Sequence, residues 1–317
     1  MMEHKIRVGV SACLLGQKVR FDGGHKHDRF ITDTLGQYLE FYPVCPEVEV
    51  GFSIPRESLR LVGDPKNPRL KTTKTNEDHT DRMLQWAKNK VVELEKENLC
   101  GFIFKSKSPS SGMERVKVYS EKGMPQQSGI GLFARAFMEH FPLIPVEEEG
   151  RLHDPKLREN FIESIFALKR WRETLDKNYS LGGLVDFHTR QKLLLLSHSP
   201  THYRNMGKLV ADAKKYPKDD LFSRYEMLFL EAVKLKTTLK KNINVLQHIL
   251  GYFKKELSTD EKQEVIEIIQ QYRIGNVPLV VPLTLLNHFV RKYQQPYLMK
   301  QAYLNPHPVD LKLRNHV

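Results

Sequence analysis

KIRVGVSA, residues 5–12, is a short β-branched run, and GFIFK, residues 101–105, is a continuous apolar one. The first reads as a strand and the second as a strand buried on both faces. Between them the period changes. In Asp78–Leu99 the residues Leu84, Ala87, Val91 and Leu94 fall at i, i+3, i+7 and i+10, one apolar face of an amphipathic helix. Arg29–Leu39 also carries helix-like spacing, and Phe41–Val44 is a second short apolar run interrupted by proline. Gly131–Phe141 reads as a further helix and Leu143–Val146 as a last strand. Strand and helix alternating in this way predict a Rossmann-like α/β domain, a parallel sheet with helices on both faces.

Glu147-Glu148-Glu149-Gly150 reads as a polar break, and no strand signal of comparable quality follows it. The expected organisation is therefore an α/β domain over residues 1–150 and an all-α domain over 151–317. The second opens with Asp154-Pro155, an N-cap and a proline in the first helical position, ahead of Leu157, Phe161, Ile165 and Leu168 on one face. Helices are expected over Val185–Ser197, Tyr203–Lys215, Leu221–Leu250, Thr259–Tyr272 and Pro282–Tyr293. In the longest, Leu228, Ala232, Leu235 and Leu239 form the expected buried stripe, with lysines on either side.

The charge is unevenly distributed. Of 50 basic and 38 acidic residues, 22 and 21 lie in residues 1–150, leaving 28 and 17 in residues 151–317. A domain biased this far toward Lys and Arg points to a polyanionic partner, since each neutralised phosphate releases condensed counterions. Three widely spaced cysteines do not make a disulfide framework and suit a reducing compartment. No apolar stretch approaches the roughly 18 residues of a membrane span. The first residues lack the pattern of a secretory signal, so a cytoplasmic location is expected.

In an open parallel sheet the loops leaving the strands' C-terminal ends converge on one crevice. Three segments fall there: Ser11-Ala12-Cys13-Leu14-Leu15-Gly16, Pro43-Val44-Cys45-Pro46-Glu47, and Lys105 through Met113, which carries Ser108, Ser110 and Ser111. Pro43 and Pro46 stiffen the chain around Cys45, which suits a ligand, although a turn would use them too. Glu47 beside a cysteine could act as a general base. Cys100 precedes its strand, about 20 Å from the crevice at ~3.3 Å per residue, and reads as structural. His25 and His27, near Asp22 and Asp28, have no recognised metal spacing and read as a polar loop.

SACLLGQKVRFDGG, PVCPE and KSKSPSSGMERVKVY resemble the three signature segments of the thiouracil desulfidase family. VEEEGRLHDPKLRENFIE and the helical remainder resemble the YbgA-like domain fused to it in bacterial tRNA 4-thiouridine desulfidases. The resemblance implies a 4Fe-4S cluster with one iron free of protein ligands, held by three cysteines, two of which match Cys13 and Cys45. It implies proton transfer by Glu47 and Ser108, and uridine and sulfide as products. It departs at Ser111, where the family keeps its third cysteine. The added domain implies tRNA as partner, bound through Arg190, Lys192, Lys236, Lys240 and Lys241, residues chosen on charge and position; no membrane and no obligate protein partner are implied. Two other readings stay open: an RNA-binding protein that has lost the cluster, and a desulfidase of free thiouracil or thionucleosides.

Overall fold

In the computed structural model, which describes residues 5–120, 122–311 and 313–316, the N-terminal β-branched run forms β1, Ile6–Ser11. β2 is Leu39–Val44, α1 a single turn at Pro46–Glu49, β3 Leu59–Val62 and β4 Arg69–Thr72. Then come α2 at Thr80–Glu95, β5 at Phe102–Phe104, β6 at Val116–Tyr119 and β7 at Pro125–Gly129. α3, Leu132–His140, and β8, Val146–Glu148, complete a first unit that ends at Asp154.

β2, β1, β5 and β8 pair in that order, all parallel, as the alternation of signals requires. Phe102 of β5 lies across Gly9 of β1, where a Cβ would come 2.2 Å from the ring, so only glycine lets these two strands keep this packing. Phe102, Phe104, Phe133 and Phe137 are fully buried and join β5 to α3. At roughly 1.5–3 kcal/mol for each large apolar side chain, this cluster is a principal support of the sheet.

Several expectations need correction. On α2 the buried face carries Met83 with Ala87, Val91 and Leu94, while Leu84 is 42% exposed. Arg29–Leu39 is not one helix. Asp28 Oδ1 accepts from the Phe30 and Ile31 amides, a wide π-type turn and a 3-10 turn follow, and Leu39 already belongs to β2. β8 starts at Val146 and runs into the glutamates read as a polar break; Glu147 and Glu148 are 6% exposed. A second sheet, ordered β4-β3-β6-β7, was not anticipated. Its strands LRLV, RLKT and VKVY are four residues long with charges in alternate positions, a pattern that reads as loop until a core covers one face. That core is Val50, Leu61, Leu70, Met83, Val116, Val118 and Leu132.

The second unit, Pro155–Val317, has no strand among its described residues. Its helices are α4 Pro155–Lys177, α5 Leu181–His198, α6 Pro200–Ala211, α7 Lys218–Lys234, α8 Leu239–Gly251, α9 Thr259–Arg273, α10 Val280–Lys292 and the short α11 Pro296–Met299. Ser180, Ser199, Thr238 and Ser258 cap the helices they precede, Ser258 reciprocally with Glu261. Trp171, fully buried, sits among Phe187, Phe222, Tyr225 and Phe229. The expected helix Leu221–Leu250 breaks between α7 and α8. Thr238 turns its hydroxyl to the Lys241 amide as an N-cap, and Leu235 and Leu239 are each 44% exposed rather than buried. Phe229, Leu230 and Val233 supply the stripe instead, beside Ala232.

Candidate functional site

β2, β1 and β5 are neighbours in the parallel sheet, and the loops leaving their C-terminal ends line one cavity of about 370 Å³. Cys13 lies in a 3-10 turn directly after β1, ended by Gly16 at φ 86°; Cys13 O accepts from the Gly16 amide at 3.3 Å and the Lys26 amide at 2.9 Å. Cys45 follows β2 and precedes α1, its amide donating to Glu49 Oε1 at 2.9 Å. Both thiols are free and face the same cavity. Burial pushes Cys13 up to about 11, Lys105 opposing and the nearby Cys45 adding to it; burial raises Cys45 as well. Two buried thiols that disfavour each other's charge give up protons when a cation binds them.

Glu47, in the first turn of α1, is held at both oxygens. Arg56, whose side chain is 6% exposed, donates to Oε2 through Nε at 3.1 Å and through Nη2, and Ser110 Oγ donates to Oε1 at 3.0 Å. Ser108 Oγ stands 3.0 Å from Ser110 Oγ and accepts the amides of Ser110 and Ser111 at 3.3 and 3.1 Å. With those amides on its lone pairs, and Ser110 committed to an acceptor-only carboxylate, the Ser108 proton points at Ser110. The result is a directed chain, Ser108 to Ser110 to Glu47.

The loop carrying these serines is clamped from outside. Glu149 accepts the Ser106 amide at 2.7 Å and pairs with Lys105; burial works against its charge, yet those partners hold its carboxyl below the ordinary range. Glu148 Oε1 accepts the Met113 amide at 2.8 Å. Glu148 at the end of β8 and Glu149 just after it are thus anchors of the cavity loop. Gly131 packs against the same loop, and a Cβ there would lie 2.5 Å from the Ser110 carbonyl carbon and 2.7 Å from the Ser111 nitrogen. Gly131→Ala is therefore expected to cost about 1–3 kcal/mol in thermal unfolding and to displace the serine chain. Gly207→Ala on α6, with open space around it, is the control and is expected to be stabilising or neutral.

The sequence candidates Cys13, Cys45, Glu47, Ser108 and Ser111 all line this cavity, and Cys100 does not. Ser111 is 3% exposed. No three His, Cys, Asp or Glu side chains among the described residues are grouped to hold a metal; two thiols, Cys13 and Cys45, line the cavity, and Ser111 is one of the serines that line it with them. His27 bonds Thr32 and Asp22 caps Gly24, as a polar loop would. Sequence reasoning missed Arg56, Lys105 and Glu149, and gave Ser110 no role of its own. Arg56 carried no signal, because nothing in Pro55-Arg56-Glu57 marks the side chain that crosses to Glu47.

In the second unit, Arg190 and Lys192 lie on α5, Lys236 before α8, and Lys240 and Lys241 in its first turn. Arg190 is paired with Asp186 at 2.5 Å. Lys241 Nζ donates to His198 O at 2.6 Å and Lys236 O at 3.1 Å, fastening the end of α5 to the α7–α8 break. Lys236 and Lys240 are exposed and Lys192 is half-buried. Lys236 lines a cavity of about 410 Å³ together with Glu159, Glu163 and Arg314. Burial, with Glu163 adding to it, raises Glu159 to about 7, while Arg314 and His198 hold Glu163 low against its own burial. A carboxyl raised in the folded state stabilises below its unfolded pKa and loses that stabilisation as pH climbs through the folded value. Burial holds His188 and His307 low, which works the other way over the same range, so the Glu159 contribution is expected as a difference: from pH 5 to pH 8 the wild type loses stability relative to the Glu159→Gln variant in thermal unfolding scans.

The model of the family described as 2-thiouracil desulfurase matches residues 8–149, and that described as a protein of unknown function, DUF1722, matches residues 192–308. The chain is 32% identical over 152 residues to "Uncharacterized protein YbgA" of Escherichia coli (strain K12), covering 48% of this chain and 90% of that protein. It is 32% identical over 108 residues to "Uncharacterized protein YbbK" of Bacillus subtilis (strain 168), covering 32% of this chain and 71% of that protein. Among solved structures it is similar to the [4Fe-4S]-dependent thiouracil desulfidase TudS, at 28% identity and a TM-score of 0.39, over 47% of this chain and 95% of that one.

Proposed function

The chain belongs to the 2-thiouracil desulfurase family, with a YbgA-like region following the desulfurase region, and from this premise we propose that it is an iron–sulfur desulfidase removing sulfur from 4-thiouridine in tRNA. The observation that carries the reading is one cavity flanked by Cys13, Cys45 and the Ser108–Ser110–Glu47 chain. Cys13, Cys45 and Ser111 would hold the 4Fe-4S cluster. When bound, the cluster supplies an iron without a protein ligand, a Lewis acid suited to a thiocarbonyl sulfur. Glu47 accepts a proton from water delivered beside Ser108, and Arg56 fixes its orientation. The protonated Glu47 carboxyl is then the group that returns this proton as the sulfur leaves.

A serine oxygen is a harder ligand than a thiolate and its hydroxyl less acidic than a thiol, so a cluster held by Cys13, Cys45 and Ser111 would be more labile than one held by three thiolates. The cavity volume suits a free thiopyrimidine equally, whereas the basic surplus of residues 151–317 favours a polyanion. Protein purified and iron-loaded without air is expected to bind iron, to release sulfide, and to lower the 4-thiouridine count of added tRNA. Unchanged counts from cluster-loaded protein defeat the enzymatic reading. Release from thiouracil but not from tRNA moves the substrate to the free base. Tight tRNA binding without iron would leave the cluster-less RNA-binding alternative.

A further inference from the structure

Beside the catalytic cavity, and sharing Leu59, Lys107 and Pro109 with it, a groove of about 500 Å³ runs over the second sheet. Its cations come from two separate stretches of chain: Arg60 on β3, and Lys107, Arg115 and Lys117 on the loop before β6 and β6 itself. No Asp or Glu is among the residues that line it. The nearest carboxylate in sequence, Glu114, is engaged by Arg151 at 2.7 Å and lies farther from Arg115, at 3.9 Å from its Nε. Lys107 at φ 60° and Arg115 at φ 53° both adopt the left-handed backbone region, which is unfavourable for a residue other than glycine. Arg60 lies over the Tyr119 ring at 5.7 Å, and its Nε is buried with no hydrogen-bond partner among the described residues.

We propose that this groove binds the sugar–phosphate backbone flanking the thiolated nucleotide whose base enters the catalytic cavity. The inference rests on the desulfidase reading for the base and adds a phosphate subsite on the first unit. Four cations with no carboxylate in the groove lining, and only Arg115 near one outside it, neutralise the phosphates on either side of one nucleotide. Tyr119, held by Arg60, offers a flat face to a neighbouring base, and the groove's continuity with the cavity through Lys107 and Pro109 sets the path of the strand.

The test uses the full iron-loaded chain, a trinucleotide with 4-thiouridine at its centre, and the 4-thiouridine nucleoside, with affinity read across a salt series. In the variant Arg60→Gln/Arg115→Asn/Lys117→Gln, asparagine keeps the left-handed backbone available at 115. The expected result is a trinucleotide affinity lower by roughly tenfold or more, with the slope of log affinity against log salt flatter by about 0.7 for each phosphate no longer neutralised, and nucleoside affinity unchanged. An unchanged trinucleotide affinity and salt slope overturn the proposal, as does an equal loss for the nucleoside. Sulfide release from the same wild-type samples reads the chemistry separately: its absence alongside the expected affinity loss sinks the desulfidase reading and leaves the phosphate subsite standing.

Discussion

Cys45→Ala is expected to lose bound iron and, with it, sulfide release from thiolated tRNA by at least about a hundredfold, the equivalent of roughly 2.7 kcal/mol. Cys45 is one of two thiols in the cavity, and Ser111, the third ligand of the proposed set, carries a hydroxyl. Removing a thiol leaves one soft ligand, too few to retain a cluster whose irons prefer thiolate. Cys100→Ala, outside the cavity, is expected to leave iron content unchanged. Ser111→Cys works in the opposite direction, because a thiol of similar shape at a 3% exposed position completes a three-thiolate set. Iron per chain and the half-life of the cluster's visible absorption in air are expected to rise together. If Cys45→Ala retains full iron while Ser111→Cys gains none, the cavity does not hold the cluster.

The parallel sheet was legible because its strands are apolar on both faces and are separated by helical spacing. The second sheet was not, since its four-residue strands gain meaning only when Met83 of α2 and Leu132 of α3 cover them. Cys13, Cys45, Glu47 and Ser108 could be named from strand-end position and motif. Arg56 could not, because its role depends on a loop crossing back to Glu47 from nine residues away. The three glutamates after Pro145 misled for a related reason: a run of carboxylates reads as solvated, yet Glu148 and Glu149 turn inward to anchor the loop amides. Charge was misleading in the same sense. Near neutrality over residues 1–150 concealed a groove lined by Arg60, Lys107, Arg115 and Lys117 with no carboxylate in its lining, a concentration that linear counting averages away.

Glu47→Gln is expected to lower kcat for sulfide release by about 10²–10³, within the range general acid–base groups contribute, while KM and iron content change little. The amide is nearly isosteric, and its oxygen can still accept from Ser110, but its NH2 then meets the Arg56 donors that Oε2 accepted. What is lost is a group able to take the proton relayed from Ser108. The substitution also leaves Arg56, 6% exposed, facing a neutral partner, at an expected cost of about 1–3 kcal/mol in stability. Lower activity could then come from a loosened loop rather than from missing proton transfer. Adding Arg56→Met to Glu47→Gln separates the two, because replacing both members of a buried ion pair can restore stability that losing one removes. Unfolding temperature is expected to recover toward the wild type in the double variant, and kcat is not. Recovery of kcat together with stability would make Glu47 a structural partner of Arg56 and assign the proton to another group.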